Sequence, residues 1–395
     1  VTAQAETAQT ETAQSETTSG STAGPARIGI VGGGWRAHTF VRIAQALPES
    51  FDLSAALVRS EAAADSLHKE WRIAVSTRVD DFLAGGPFDF VVLCVAPGAT
   101  AGFIREFASR GIPVLVETPP SRELDELHAL YSEFGDGSPI QVAEQYRFQP
   151  HHAARIAVAN SGVLGTVTSA RVSVAHEYHG MSLVRALLGI GFDPVEITAA
   201  AFDDRLVSTI ERDGWVDEFE PIVSERVTAR LAFPNRELLA LYEFESEQYR
   251  SAIRSRHISA AGDRGEISDD SVRYVRSPGD VAITELARQQ TGAGGDLEGH
   301  FLRSITLGER TVYTNDFAPA RLTDDEIAIA ELLERMRRFV FTGDELYGLA
   351  DASHDMYLSI LIAEASRTGH AVRSEPQPWD GAVSVLRRDR ERADA

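Results

Sequence analysis

The chain has 395 residues, 43% of them apolar and 25% charged, an ordinary composition for a folded protein with a sizeable core; it excludes a disordered, collagen-like or membrane-bundle chain. Fifty-nine acidic residues against 38 basic ones leave a formal charge of −21, a field that repels nucleic-acid backbones and anionic lipid. Cys94 is the only cysteine, which excludes a disulfide framework and a thiolate zinc site, and Lys69 is the only lysine.

At roughly 100–200 residues per domain, the length predicts two domains or one large one. Residues 1–25 repeat a polar unit (TAQAE, TAQTE, TAQSE) and are expected to form a disordered tail. They lack the basic start and apolar run of a signal peptide. The longest apolar stretch, 88–104, is broken by Pro97 and Gly98 and is too short to span a bilayer. A cytoplasmic protein without membrane or nucleic-acid partners is expected.

From residue 27 apolar runs alternate with helical patterns. Strands are predicted over 27–31, 53–58, 88–95, 113–116 and 140–143. Helices are predicted over 37–47, 61–71, 100–110 and 122–134. The run FDFVVLCV at 88–95 suits a central parallel strand covered on both faces. This alternation predicts a doubly wound α/β domain over 26–145. After Pro150 the pattern changes. A helix at 151–160 precedes strands at 166–174, 225–233, 237–244 and 253–260, and two amphipathic helices follow near 323–340 and 348–367. An α+β second domain with a mainly antiparallel sheet is expected over 146–373, with 374–395 as a C-terminal extension.

Residues 32–37, GGGWRA, fit G-x-G-x-x-A directly after a predicted strand and at the start of a predicted helix. Glycines there permit a tight turn and let backbone N–H groups approach a pyrophosphate. Gly32, Gly34, Trp35 and Arg36 are therefore cofactor-binding candidates; the alternative is a plain glycine turn. The position at the end of the second strand that normally carries an acid for the ribose 2′-hydroxyl holds Val58, followed by Arg59 and Ser60. A guanidinium and a hydroxyl suit a 2′-phosphate, so NADP is expected over NAD. Arg59 as a merely solvated charge is the alternative.

Six segments in order resemble the Gfo/Idh/MocA family of NAD(P)-dependent oxidoreductases: RIGIVGGGWRAHTF at 27–40, VVLCVAPGAT at 91–100, GIPVLVETPPS at 111–121, EQYRFQP at 144–150, HGMSLVRALLG at 179–189, and the late helix from His354-Asp355 to Gly369. The resemblance covers about 26–373. It implies a Rossmann domain followed by a domain with a large open sheet that mediates homo-oligomer contacts. It also implies hydride transfer to or from a sugar, cyclitol or related polyol. Ala96, Pro97, Glu117 and Thr118 then join the cofactor site.

Two departures stand out. The family lysine of E-K-P is Thr118 here, a hydroxyl that hydrogen-bonds but accepts protons poorly. The aspartate four residues before the family histidine is Ala175, and Ser182 stands where the family often has Asp. His179 remains, and an imidazole can take or return an alcohol proton near neutral pH. His179, Thr118 and Tyr178 are the catalytic candidates. Tyr146, Arg147, His176 and Ser182 are the substrate-binding candidates; for Tyr178, Tyr146 and Arg147 packing or surface exposure is the alternative, and for His179 a structural role in capping or packing the helix. A silent nucleotide-dependent sensor, or a reductase of an imine or other non-sugar substrate, is also compatible with the missing lysine.

Other constellations carry less. His176 and His179 are three apart, not four, and no metal is expected. His151-His152 are expected to decorate a helix start, Cys94 to pack in its strand, and the Asp pairs at 203–204, 269–270 and 324–325 to serve turns or caps. Gly180-Met181-Ser182 lacks the final glycine of a hydrolase elbow.

Overall fold

The computed structural model describes residues 24–394 except 136, 212, 213 and 293. The tail expected over 1–25 therefore falls almost wholly outside the described residues. The first domain runs β1 (Ala26–Val31), α1 (Trp35–Ala46), β2 (Phe51–Leu57), α2 (Glu61–Trp71), β3 (Ala74–Ser76), α3 (Val79–Ala84), β4 (Phe90–Leu93), α4 (Pro97–Ala108), β5 (Val114–Val116), α5 (Leu124–Phe134) and β6 (Ile140–Val142). The six strands form one parallel sheet in the order β3-β2-β1-β4-β5-β6. The order reverses between β1 and β4, which opens a crevice at their carboxyl ends. All four residues of β4 are buried, as a strand covered on both faces requires. The edge pair β3 and α3 carries too few residues for a periodic signal, and the sequence pattern did not resolve it.

The second domain contains α6 (Pro150–Asn160), β7 (Val167–Ser173), α7 (Glu177–Leu188), β8 (Glu196–Val207), the small hairpin β9 (Ile210–Glu211) and β10 (Gly214–Trp215), β11 (Pro221–Phe233), β12 (Leu238–Glu245), β13 (His257–Gly262), β14 (Gly265–Ser268), β15 (Ser271–Ser277), β16 (Asp280–Gln290), β17 (Leu302–Leu307) and β18 (Arg310–Thr314). It closes with α8 (Asp324–Thr342), α9 (Leu349–Thr368), β19 (Val372–Arg373) and α10 (Val385–Asp394). Eleven of these strands make one sheet, β18-β17-β16-β15-β14-β13-β7-β12-β11-β8-β19. Its pairs are antiparallel except β12 with β7. Asp203-Asp204 lies inside β8 rather than in a turn, and Asp204 pairs with Arg226 and Arg254.

Three features correct or extend the sequence picture. The first late helix, α8, returns to the first domain: Ile329, Leu333 and Met336 share a core with Phe40, Ile30 and Val92. A capping box of Thr323 and Glu326 starts it. The second, α9, is not amphipathic. It is sandwiched between α7, the large sheet and β6, and nearly all its residues to Ile362 are buried. The segment after 373 is packed into the body: Trp379 is fully buried and Ser384 donates to Asp351. Arg185 sits at the centre of that packing, wholly buried between Asp351 and Asp355, and Asp355 also accepts from Tyr347.

Candidate active site

At one end of the crevice β1 passes into α1. Gly32 has φ +123°, and a Cβ there would lie 2.1 Å from the Cys94 carbonyl oxygen, so the turn passes hard against the end of β4. Gly34 is the N-cap of α1, and a Cβ on it would meet nothing within 4 Å. No side chain caps this helix and its first turn has no acid. The free N–H groups and the positive helix end thus face an open, exposed approach that fits a pyrophosphate. Trp35 is exposed beside it, and Ala96 and Pro97 are exposed at the start of α4.

Arg36 is engaged within the protein. Its Nε donates to Glu117 at 2.5 Å and its Nη1 lies 3.4 Å from Asp325. Burial pulls its pKa down, but the two carboxylates outweigh this and hold it above the ordinary arginine value. It ties α1 to the end of β5 and to α8. At the end of β2, Val58 is buried and Arg59 is exposed, with no side-chain partner among the described residues. The Ser60 hydroxyl accepts from the Ala63 N–H as the N-cap of α2.

At the other end lies a cluster of rings and carboxylates. Thr118 follows β5, and its carbonyl receives the Tyr178 hydroxyl at 3.5 Å. Glu144 follows β6, and its Oε2 is 2.6 Å from His179 Nδ1, with side chains only 2% and 6% exposed. The His179 ring packs against Tyr178, Tyr146 and His176 at centroid distances of 4.4, 4.5 and 4.9 Å. His176 Nδ1 is 2.8 Å from the Tyr249 hydroxyl, which also accepts from the His176 N–H. Burial, then His179, then Arg122 push His176 down to about 3, so its ring is neutral at working pH. Burial raises Tyr178 above its ordinary value and pushes Tyr249 up to about 12.

The backbone beneath is strained. Glu177 sits at φ 43°, the left-handed region, held by its N–H to the Tyr242 hydroxyl and by its carboxylate to Arg122. Such a conformation costs on the order of 1 kcal/mol in a non-glycine residue and persists only where neighbours over-determine it. It turns the chain so that His176 and His179 both reach the cluster.

A carboxylate against Nδ1 selects the tautomer that carries its proton there. Nε2 then holds a lone pair, and Glu144 can stabilise the cation formed when Nε2 takes a proton. Glu144 escaped the sequence reading. Its one signal was a carboxylate straight after an apolar parallel strand, where such sheets place their functional groups. Tyr249 had no local signal at all.

Two sequence candidates turn away. Arg147 pairs with Asp389 of α10 and lies over the Phe148 and Tyr347 rings, because a buried guanidinium needs a carboxylate and finds it in the C-terminal helix. Ser182 is fully buried and donates to the His179 carbonyl within α7, so it does not reach a substrate. Among the described residues no group of three or more His, Cys, Asp or Glu side chains could hold a metal ion, and no helix is long and apolar enough to cross a membrane.

No curated protein matches the chain by sequence. Solved structures match its fold. The myo-inositol dehydrogenase of Corynebacterium glutamicum ATCC 13032 superposes with a TM-score of 0.62 at 17% identity, covering 89% of this chain and 99% of that one. Levoglucosan dehydrogenase solved with NADH and L-sorbose gives 0.63 at 16% identity, covering 90% and 100%. An oxidoreductase from Agrobacterium radiobacter solved with NAD+, L-tartaric acid and magnesium gives 0.62 at 16%, covering 88% and 98%. The model of the oxidoreductase family with the NAD-binding Rossmann fold matches residues 26–136. Over that domain the chain is similar to the Gfo/Idh/MocA oxidoreductase family.

Proposed function

We propose that the chain is an NAD(P)-dependent oxidoreductase acting at a CH–OH or carbonyl carbon of a sugar, cyclitol or related polyhydroxylated small molecule. The observation that carries this reading is the buried His179–Glu144 pair at the carboxyl ends of β5 and β6. A nicotinamide dinucleotide bound at the Gly32–Gly34 turn supplies the hydride acceptor or donor. The protein's own residues then handle the proton. In the oxidising direction His179 Nε2 takes the hydroxyl proton while Glu144 holds the ring in place and balances its new charge. In the reducing direction the same nitrogen returns the proton. Thr118 lacks the family lysine's ammonium, which leaves the imidazole as the proton carrier. Tyr178, held on the Thr118 carbonyl, and Tyr146, stacked on His179, orient the substrate hydroxyls.

Exposed Arg59 beside buried Val58 supports NADP as the preferred coenzyme. The uncovered face of the large sheet, with Leu241 exposed on it, supports assembly into a homo-oligomer. The test is deuteride transfer from C4-labelled NADPH and NADH across a panel of sugars, cyclitols and their keto forms. Transfer is expected, and H179A is expected to slow a single turnover by about 10²–10⁴-fold. Tight coenzyme binding with no transfer on the panel would instead assign the chain to the sensor class.

A further inference from the structure

A cavity of about 810 Å³ lies directly behind the ring cluster, between α9 and the ends of β11 and β12. Its size falls within the roughly 300–1,000 Å³ typical of small-molecule sites. Val227, Phe244, Met356, Ile360 and Ile362 give it an apolar strip, and Glu225, Ser359, Ser366 and Arg367 line it as well. At the end towards the candidate active site the wall is formed by His176 and Tyr249. These two residues belong to both spaces. The same Tyr249 hydroxyl that bonds His176 Nδ1 borders the cavity, and the His176 ring packs edge-on against His179 at 4.9 Å. Nε2 of this neutral histidine has no protein partner among the described residues. The cavity is therefore zoned in part, with hydrogen-bonding groups at the end towards the reaction centre and, beyond them, an apolar strip from Phe244 to Ile360 that runs beside polar side chains.

The zoning separates this cavity from the exposed sheet surface. Side chains alternate along β12, so Tyr242 and Phe244 face the cavity and α9 while Leu241 and Glu243 face the opposite, open side. A flat protein partner has that open side to cover. The recess under α9 suits a ligand part that enters edge-on and is small, apolar and joined to a polar end.

We propose that this cavity is a subsite for an apolar aryl or short alkyl group carried by the polyhydroxylated substrate, so that the substrate class is a glycoside or ester-like conjugate rather than a free sugar. The polar end lies by His176, Tyr249 and His179, and the apolar group lies against Phe244, Met356 and Ile360. The substrate assignment rests on the oxidoreductase reading, but occupancy of the cavity does not require turnover.

The experiment compares binding of phenyl β-D-glucopyranoside and methyl β-D-glucopyranoside to the full chain by calorimetry, in the presence of NADP. The phenyl glycoside is expected to bind at least about 10-fold more tightly, the effect of burying one aromatic ring. Ala363 is exposed on α9 and lines the cavity without belonging to the ring cluster, so A363W adds bulk to the space from outside that cluster. This variant is expected to abolish the phenyl preference while methyl glycoside binding and the melting temperature stay unchanged. A201W, which fills the cavity from β8, serves as the second variant should A363W fold poorly. Equal affinity for the two glycosides, a preference that survives both variants, or no saturable binding of either glycoside each overturns the proposal. A preference that A363W abolishes, in a protein that transfers no deuteride, leaves the subsite standing and overturns the oxidoreductase reading instead.

Discussion

The two ends of the crevice are built in opposite ways. The phosphate end is one stretch of chain, Gly32 to Arg36, between a strand and the helix it feeds. The reaction end gathers Thr118, Glu144, His176, Tyr178, His179 and Tyr249 from β5, β6, α7 and the segment after β12. The first needs only a turn of the right shape. The second needs two domains to be docked before Glu144 meets His179 or Tyr178 meets Thr118. A contiguous site tolerates change everywhere but in its backbone, whereas an assembled site depends on side-chain chemistry contributed from afar.

Backbone dependence at the phosphate end is the largest effect to test outside H179A. G32A places a side chain at φ +123° and 2.1 Å from a carbonyl oxygen. The conformational cost alone is about 1–2 kcal/mol and the overlap adds to it, so coenzyme affinity is expected to drop on the order of 100-fold in fluorescence titration. Unchanged affinity would mean that the turn does not hold the coenzyme.

The reaction end is expected to answer to chemistry rather than shape. E144Q keeps an acceptor near His179 but removes its charge. Single-turnover hydride transfer is expected to fall about 10–100-fold with coenzyme affinity unchanged. A rate loss accompanied by an equal loss of coenzyme affinity would erase the contrast between the two ends.

The adenosine side gives a smaller, sharper test. R59A is expected to reduce the NADP-over-NAD affinity ratio about 10-fold, the effect of one charge-assisted hydrogen bond. A ratio that stays constant removes Arg59 from coenzyme selection and leaves NAD as the coenzyme of choice.

The smallest effect is in stability against pH. His176 is held neutral to about pH 3 in the folded protein, while an unfolded histidine protonates near 6.5. The unfolded state therefore binds the extra proton first, and the group's contribution is fully present above pH 6.5 and fades as pH falls towards 3. Melting curves of H176Q are expected to lose less stability than the natural chain across that window. Parallel curves would show that His176 does not report on the cluster.

Much of the fold was legible because neighbouring residues carry it. The helix at 61–71 has the predicted bounds, and the apolar run around β4 identified a strand buried on both faces. Glycines before α1 announced the turn. Other features had no local trace. The role of α8 as a cover for the first sheet, and the burial of α9 on nearly every side, depend on what closes around them. Arg147 and Ser182 looked like substrate contacts from their positions, but the docking of α10 and the turn of α7 gave them other partners.

The order of residues by itself determined the parallel first domain, the glycine turn and the presence of two histidines at the head of α7. It did so because periodicity, turn geometry and helix ends are interactions between residues a few positions apart. Tertiary structure alone decided that Glu144, 35 positions before His179, sets its carboxylate against that ring, and that a cavity opens behind His176. Hydrogen-bond chemistry acts only within about 3 Å, and no rule of spacing along the chain shows which distant groups will meet at that range.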